Sequence, residues 1–154
     1  MMSNNTNHDD SSDKFIVFQM GDELFAASLI EVREVIEHHQ PKPIPNMATY
    51  FKGVINIRGE IVGVIDLRER LGIRNGQSPL CQLVFETESG PLAAIVDRVH
   101  SVIVSNLSEL ERRPSVAQGS DRAYFLGVGK VDEKIVTFIS LPKIVSNESM
   151  AVDL

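Results

Sequence analysis

The chain has few of the residues that cross-link proteins or anchor aromatic cores. Its 154 residues include one cysteine and no tryptophan. Because Cys81 alone cannot form an internal disulfide, the fold must depend on its hydrophobic core, which 43% hydrophobic residues are enough to fill. A single cysteine also fits a reducing compartment such as the cytoplasm. Since Cys81 lies beside strand-forming residues and has no base near it in sequence, we expect an unreactive thiol.

The chain also lacks a basic surface and a long apolar segment. Its net charge is −6 and its isoelectric point is about 5.2, so a nucleic-acid partner is not expected. Arg58, Glu60 and Asp66 interrupt the apolar runs well short of the ~20 residues that span a membrane, so no direct membrane insertion is expected. Residues 1–14 lack the apolar core of a secretory signal and, like residues 149–154, are predicted to form a disordered tail.

The residue types that carry catalysis are not clustered in the sequence. His38 and His39 are adjacent and therefore point in different directions, and no further ligand lies at metal-binding spacing. Gly127 and Gly129 open a predicted strand rather than a helix, so they do not form a phosphate-binding loop. The sequence therefore predicts no enzyme, no metal site and no cofactor. A small β-barrel enzyme or ligand-binding domain remains the alternative, with Cys81, Asp66 or Asp97 as its reactive groups.

The chain contains an internal repeat. Residues 50–67 align with residues 124–141 in eight identical pairs out of eighteen, where chance gives roughly one. The pairs are Tyr50/Tyr124, Phe51/Phe125, Gly53/Gly127, Val54/Val128, Ile61/Ile135, Val62/Val136, Ile65/Ile139 and Leu67/Leu141. A second set of matches, from Val17/Val84 to Val32/Val99, indicates that the repeat includes the preceding elements. The repeated residues are interpreted as the framework of two similar units.

Apolar spacing and turn residues predict four β-hairpins and short helices. The hairpins are expected to turn near residues 21–22, 58–60, 89–91 and 129–134. Residues 29–36 carry apolar side chains at helical spacing and are predicted to form a short amphipathic helix. Residues 141–145 are predicted to form another, with Pro142 in its first turn. Many short strands at hairpin spacing are typical of small antiparallel barrels, and the repeat predicts two of them.

Arg58 is the strongest candidate for function among the turn residues. It interrupts an apolar run at a predicted hairpin tip, where its guanidinium can present five donors to a partner's carboxylate. Its counterpart in the repeat is Asp132, so the framework persists while the tip changes charge. Taken alone, Arg58 and Glu34 equally fit a solvated surface, and Val32 fits a core position.

The segment from Ile44 to Arg68 resembles the CheW-like adaptor family of bacterial chemosensory systems. The resemblance rests on Ile44-Pro45-Asn46, on FKGVINIRG at residues 51–59 and on IVGVIDLR at residues 61–68. Supporting matches are the Gly21-Asp22-Glu23 turn and the stretch from Ala94 to Val99. The similarity extends over roughly residues 15–145.

This resemblance implies a mainly β fold of two five-stranded antiparallel SH3-like barrels with short helices. The barrels would form one domain over residues 15–148, divided at approximately 15–75 and 80–145, with exchange of strands between them left open. The resemblance also implies a non-enzymatic, cytoplasmic adaptor that joins chemoreceptors to the histidine kinase CheA in membrane-associated arrays. The expected partners are the CheA regulatory domain, the receptor tip and other CheW-like domains in array rings.

Site residues follow from the same resemblance. The receptor-binding positions are expected to be Val32, Glu34, Asn56, Arg58 and Val102. The kinase-binding positions are expected to be Gly53, Gly59 and Glu60. Departures such as Gly63, where many relatives carry proline, leave open an accessory adaptor of a non-flagellar chemosensory pathway.

Overall fold

A computed structural model describes residues 13–112 and 121–145. The predicted tails lie outside these residues except for Asp13 and Lys14, and Lys14 already belongs to the first strand. The predicted loop of residues 111–121 also lies largely outside them. Within the described residues the chain forms strands β1 Lys14–Met20, β2 Glu23–Ser28, β3 Val32–Glu37, β4 Phe51–Ile57, β5 Glu60–Asp66, β6 Cys81–Thr87, β7 Gly90–Val96, β8 Arg98–Val104, β9 Phe125–Val131 and β10 Lys134–Ile139. The helices are α1 Leu67–Leu71, α2 Asp121–Tyr124 and α3 Leu141–Val145, and two 3₁₀ turns span Leu29–Glu31 and Leu107–Glu109.

The strands form two five-stranded sheets of the same topology. Sheet 1 has the order β8-β1-β2-β10-β9, and sheet 2 has the order β3-β6-β7-β5-β4. The two orders match element for element, and the matched strands are those that the internal repeat aligns. The mainly β fold with two five-stranded units and short helices is therefore confirmed.

The predicted architecture needs one correction, because not every strand pair is antiparallel. Each sheet contains one parallel pair, β2 with β10 and β5 with β7, in addition to its antiparallel pairs. The exchange of strands between the segments 15–75 and 80–145, which the sequence left open, does occur, since sheet 1 takes β1 and β2 from the first half and β8 to β10 from the second. The two members of each parallel pair are separated in the chain by at least one other strand, so no tight hairpin has to join them.

The helix predicted for residues 29–36 is also wrong. Only Leu29–Glu31 forms a 3₁₀ turn, and Val32–Glu37 is the edge strand β3, which pairs with β6. Three of its six residues, Val32, Val35 and Ile36, are β-branched and favour a strand. A bulge between Val32 and Glu34 disturbs the two-residue alternation that would have identified this strand.

Each sheet is strongly curved. As a result, the segment that follows one edge strand forms backbone hydrogen bonds with the opposite edge strand. Lys42, which follows β3, exchanges two backbone hydrogen bonds of 2.8 and 2.9 Å with Val54 of β4. Glu111, which follows β8, exchanges two of 2.9 and 2.8 Å with Val128 of β9. These bridges occupy equivalent places in the two repeats. Sheet 1 with its bridge is called barrel 1, and sheet 2 with its bridge is called barrel 2. Closure therefore depends on a close approach of two backbones.

Gly53 permits this approach in barrel 2. Its φ is 133°, and a Cβ there would lie 1.9 Å from the carbonyl oxygen of Lys42. The counterpart Gly127 has a φ of 152°, and a Cβ would lie 2.8 Å from the Leu110 Cβ. The glycine that repeats in the sequence is thus explained by barrel closure.

Three hydrophobic clusters hold the barrels together. One fills barrel 1 and includes Phe15 and Phe138, whose rings pack edge to face at 5.0 Å. Another fills barrel 2 and includes Val62 and Val84. The largest lies between the sheets, where Phe18 and Phe85 occupy equivalent positions. Strands β1, β2, β6 and β7 are therefore buried on both faces, which explains their nearly continuous apolar sequences.

Arg70 of α1 joins the two repeats. Its guanidinium carbon lies 5.6 Å from the ring centroids of both Tyr50 and Tyr124, a repeated pair. Its Nη2 also donates to the carbonyl oxygen of Ile144 in α3 over 3.1 Å. One side chain thus contacts both copies of the repeat and the helix that ends the second copy.

Gly53→Ala should destabilise the protein by about 2–5 kcal/mol, because the new Cβ would collide with the Lys42 backbone in a conformation unfavourable to L-residues. Urea unfolding of both proteins measures the change. Gly59→Ala is the matched control, since Gly59 also has a positive φ but a Cβ there meets nothing within 4 Å, and its cost should be about 1 kcal/mol. Equal costs for the two variants would contradict the role given to Gly53.

Candidate interaction surface

The tip of the β4–β5 hairpin is a two-residue turn. Arg58 and Gly59 have φ values of 51° and 87°, both positive, as a type I′ turn requires. The side chain of Asn56 accepts a hydrogen bond of 2.9 Å from the Gly59 backbone N–H. Asn56 therefore holds the turn that presents Arg58, and both residues are exposed.

Arg58 is paired with Glu34 of β3. The Arg58 Nη2 lies 2.5 Å from the Glu34 Oε2, and the two side chains are 67% and 26% exposed. β3 and β4 are the two edge strands of sheet 2, so they are distant in the order of strands. Closure of barrel 2 brings them together, and the ion pair crosses the seam between them.

Arg33 extends this pair into a cluster. It lies 2.6 Å from Glu60 and 2.8 Å from Glu86, and its Nε is 3.9 Å from Glu34. Arg33 donates hydrogen bonds to Glu60 and Glu86, and these bonds raise the pKa of Arg33, which remains charged. We call Arg33, Glu34, Arg58, Glu60 and Glu86 the charged cluster. Because it is solvent-exposed, it contributes little to fold stability.

Sequence reasoning missed Arg33 and Glu86. Arg33 is adjacent to Glu34 in the sequence, and a strand assignment would have placed it on the surface of the same edge. The helix prediction hid this relation, because the neighbours of a residue on a helix lie three and four positions away. Glu86 has no signal in the sequence, since it reaches the cluster only through the pairing of β3 with β6.

The structure brings most of the predicted site residues together. Glu34, Asn56, Arg58, Gly59 and Glu60 are all at the β4–β5 tip or in contact with it. Their assignment to one partner or the other remains a prediction.

The other three predicted positions lie away from the tip. Val32 begins β3 but packs, partly buried, against the core between the sheets. Val102 lies on β8 of sheet 1, paired with Ile16, and is 53% exposed. Gly53 is buried beneath Lys42, so its backbone has a structural role whether or not a partner contacts that region.

Two of the repeated framework residues face solvent. Ile61, which follows Glu60, is 61% exposed, and its counterpart Ile135 is 65% exposed. This repeated pair therefore belongs to the strands of the framework but not to its buried core. Both residues are near the start of a strand that leaves a hairpin tip, where the inter-sheet core no longer covers that face.

Other reactive groups in the described residues do not form a catalytic arrangement. Cys81 is buried, and burial raises the pKa of its thiol. Asp66 and Asp97 are both hydrogen-bonded to Arg68, with distances near 3.0 Å. In the part of the chain that the structure describes, no three His, Cys, Asp or Glu residues are grouped so that they could hold a metal ion. Among the same residues, no helix is long and apolar enough to cross a membrane.

The fold is therefore a duplicated pair of β-barrels that carries an exposed charged cluster. A model of the CheW-like domain family matches residues 14–149. The chain belongs to the CheW-like family, whose members are scaffold adaptors of chemotaxis and not enzymes.

Relatives of known name and structure are similar over nearly their full lengths. The chain is 26% identical to the chemotaxis protein CheW of Treponema pallidum (strain Nichols) over 147 residues, 92% of this chain and 86% of that protein. It is 28% identical to the chemotaxis protein CheW of Bacillus subtilis (strain 168), with 90% of each chain covered. The crystal structure of the scaffolding protein TtCheW from Thermoanaerobacter tengcongensis superimposes with a TM-score of 0.80 and 30% identity, covering 96% of this chain and 98% of that one.

One partly buried carboxyl group precedes the charged cluster. Glu31, in the 3₁₀ turn before β3, accepts a hydrogen bond of 3.3 Å from the Ser140 hydroxyl. Its Oε1 is buried and has no hydrogen bond within the described residues. Burial raises the pKa of Glu31, although Ser140, the Leu141 backbone and Lys143 act in the opposite direction. The folded state therefore binds this proton more tightly than the unfolded state does.

Glu31→Gln should stabilise the protein at neutral pH. Because the pKa of Glu31 is raised in the folded state, its ionised form costs stability once the pH exceeds that pKa, and neutral glutamine removes this cost. We expect the melting temperature at pH 7.5 to rise by about 1–3 °C, with a smaller gain near pH 4, where Glu31 itself is protonated. A gain that is independent of pH would show that charge is not the cause. Glu109→Gln, on the exposed second 3₁₀ turn, is the control.

Proposed function

We propose that this chain is a cytoplasmic adaptor that couples chemoreceptors to the histidine kinase CheA within membrane-associated arrays. The observation that carries the proposal is the charged cluster at the β4–β5 tip, in a chain that belongs to the CheW-like family. An accessory adaptor of a non-flagellar chemosensory pathway would use the same surface with a different receptor.

The Glu34–Arg58 pair suits recognition of a charged helical partner. Arg58 uses its Nη2 for Glu34 and is 67% exposed, so a partner's carboxylate can approach the rest of the planar fork. Glu34 keeps the guanidinium in place before binding, which reduces the conformational entropy lost on association. The receptor tip, a bundle of helices with charged flanks, is the partner we assign to this pair, together with Asn56.

Val32 and Val102 would supply the apolar part of the same interface. Val102 is exposed on sheet 1, whereas Val32 lies at the boundary between sheet 2 and the inter-sheet core. A helix that contacts both valines must therefore lie across the junction of the two barrels, with the charged cluster at one end. Apolar anchors of this kind would contribute most of the affinity, and the charges would set register.

The kinase is assigned to the opposite side of the same hairpin. Gly59 ends the turn, Glu60 begins β5, and the exposed Ile61 follows them. Gly53 would act indirectly, by fixing the position of β4. Receptor-binding and kinase-binding residues would then occupy one turn, and Arg33, which bonds Glu60 and lies near Glu34, would connect the two sides.

Arg58→Glu should weaken binding of a receptor-tip fragment by about tenfold or more, because it reverses the exposed charge and repels Glu34. Titration calorimetry with the purified fragment measures the affinity, and circular dichroism checks that the variant is folded. The matched control is Asp132→Lys, which reverses a charge at the equivalent tip of barrel 1 and should leave receptor binding unchanged. Equal losses in both variants would contradict a specific role for Arg58.

Glu60→Lys should weaken binding of the CheA regulatory domain by several-fold while changing receptor affinity less than Arg58→Glu does. The reason is that Glu60 lies on the β5 side of the tip, which we assign to the kinase. Both variants are titrated against both partners. If each variant loses both partners equally, the division of the hairpin is wrong, and failure of the wild-type protein to bind either partner at tens of micromolar would overturn the proposed function.

A further inference from the structure

A buried amide in barrel 2 contacts a histidine at the start of the segment that closes the barrel. Gln82 of β6 has no exposed surface, although its counterpart in barrel 1 is the apolar Phe15. Its side-chain nitrogen lies 3.1 Å from Nδ1 of His38, the residue directly after β3. The same nitrogen donates to the backbone carbonyl oxygen of His39 over 2.9 Å.

These two distances determine where the proton of His38 lies. A carbonyl oxygen only accepts hydrogen bonds, so the amide NH₂ of Gln82, and not its oxygen, must face His39. The same NH₂ then donates to Nδ1 of His38, which must be unprotonated. The His38 ring is therefore neutral and carries its proton on Nε2.

Protonation of His38 is incompatible with this arrangement. A proton on Nδ1 would face the Gln82 NH₂, so two donors would meet. Rotating the amide by 180° would supply an acceptor to Nδ1 but would place the amide oxygen against the carbonyl oxygen of His39. Either orientation loses a hydrogen bond in a buried place, where an unmade bond is costly.

On balance, the surroundings of His38 also favour its neutral form. Burial lowers the pKa of His38 from its usual value of 6.5, and Arg68 and His39 lower it further, whereas Asp66 and Gln40 oppose them. The Asp66 carboxylate offers little compensation, because it is held by Arg68 over 3.0 and 3.1 Å. Arg68 also bonds Asp97 over 3.0 Å.

The segment that begins at His38 ends at the bridge that closes barrel 2. The His38 backbone N–H donates to the Leu80 carbonyl oxygen over 3.1 Å. Four residues later, Lys42 exchanges its two backbone hydrogen bonds with Val54. Barrel 1 has the equivalent backbone bond, from Ser105 to Asp13 over 2.9 Å, and the equivalent bridge. At the positions of His38 and Gln82, however, it has Ser105 and Phe15, neither of which titrates.

We propose that the His38–Gln82 contact is a proton-sensitive element that keeps barrel 2 closed when His38 is neutral and loosens the Lys42–Val54 bridge when His38 is protonated. The inference depends on the fold and on these contacts, and not on the proposed function. β4, which the bridge anchors, carries Asn56 and leads to Arg58, so opening would also disturb the charged cluster.

The direction of the effect follows from proton linkage. The folded state binds a proton on His38 less readily than the unfolded state, so stability from this group is complete above pH 6.5 and declines as the pH falls through that value. Each unit by which the pKa of His38 is lowered corresponds to about a tenfold change in the equilibrium between closed and open forms.

Amide hydrogen exchange of the whole chain, followed by NMR between pH 7.5 and 5.5, tests the proposal with an internal control. After correction for intrinsic exchange rates, protection of the Lys42 and Val54 amides should fall several-fold at the lower pH, while Glu111 and Val128 of barrel 1 keep theirs. Nitrogen chemical shifts of the His38 ring should show an unprotonated Nδ1 at pH 7.5.

His38→Asn tests whether the proton on His38 causes the effect. The asparagine side-chain oxygen can accept a hydrogen bond from Gln82 but does not titrate. In this variant the loss of protection at Lys42 and Val54 should disappear, whereas His39→Asn should retain it. Equal losses at the two bridges of the wild type, a protonated Nδ1 at pH 7.5, or an unchanged pH response in His38→Asn would each overturn the proposal. If His38→Asn does not fold, the wild-type comparison between the two bridges still decides.

Discussion

The structure depends on a hydrophobic layer that the two sheets share. Strands β1, β2, β6 and β7 are buried on both faces, one face inside a barrel and the other between the barrels. Neither barrel can therefore be removed without exposing the inner strands of the other. The same constraint explains why strands from both halves of the chain occur in sheet 1, since the connection through Asp97 passes directly from one sheet to the other.

Barrel closure imposes the same backbone geometry on the two repeats, whereas the side chains at their hairpin tips differ. The backbone bridges at Lys42 and Glu111 use equivalent glycines and are nearly identical in the two repeats. The hairpin tips next to them differ, with Arg58 and Gly59 in one copy and Asp132 and Glu133 in the other, although both use positive φ values. Duplication has thus preserved the backbone geometry of the turn while its side chains diverged. Among the described residues, the charged cluster surrounds the tip that carries Arg58.

Particular residues show how far sequence reasoning extends. The turns at Gly21, Arg58, Ser89 and Asp132 are recognisable because turn chemistry is local, and the hairpins predicted there are confirmed. The helix predicted for residues 29–36 was wrong, because pairing with β6 and a bulge at Arg33 override helical spacing. The exposure of Ile61 and Ile135 was not predictable for a related reason, since the extent of the inter-sheet core is not encoded in the alternation of one strand.

By itself, the sequence determined the internal repeat, the hairpins, the family and the candidate status of Arg58, because each depends on residues that are close in the chain or aligned by the repeat. Only the tertiary structure decided that Glu34 pairs with Arg58, that Arg33 joins Glu60 to Glu86, and that Gln82 faces His38. These contacts join edge strands or neighbours in a sheet that are distant in sequence. Glu34 meets Arg58, and Arg33 meets Glu60, because closing a barrel brings its two edges to one seam, whereas Glu86 and Gln82 reach their partners because β3 pairs with β6. No local pattern specifies either arrangement.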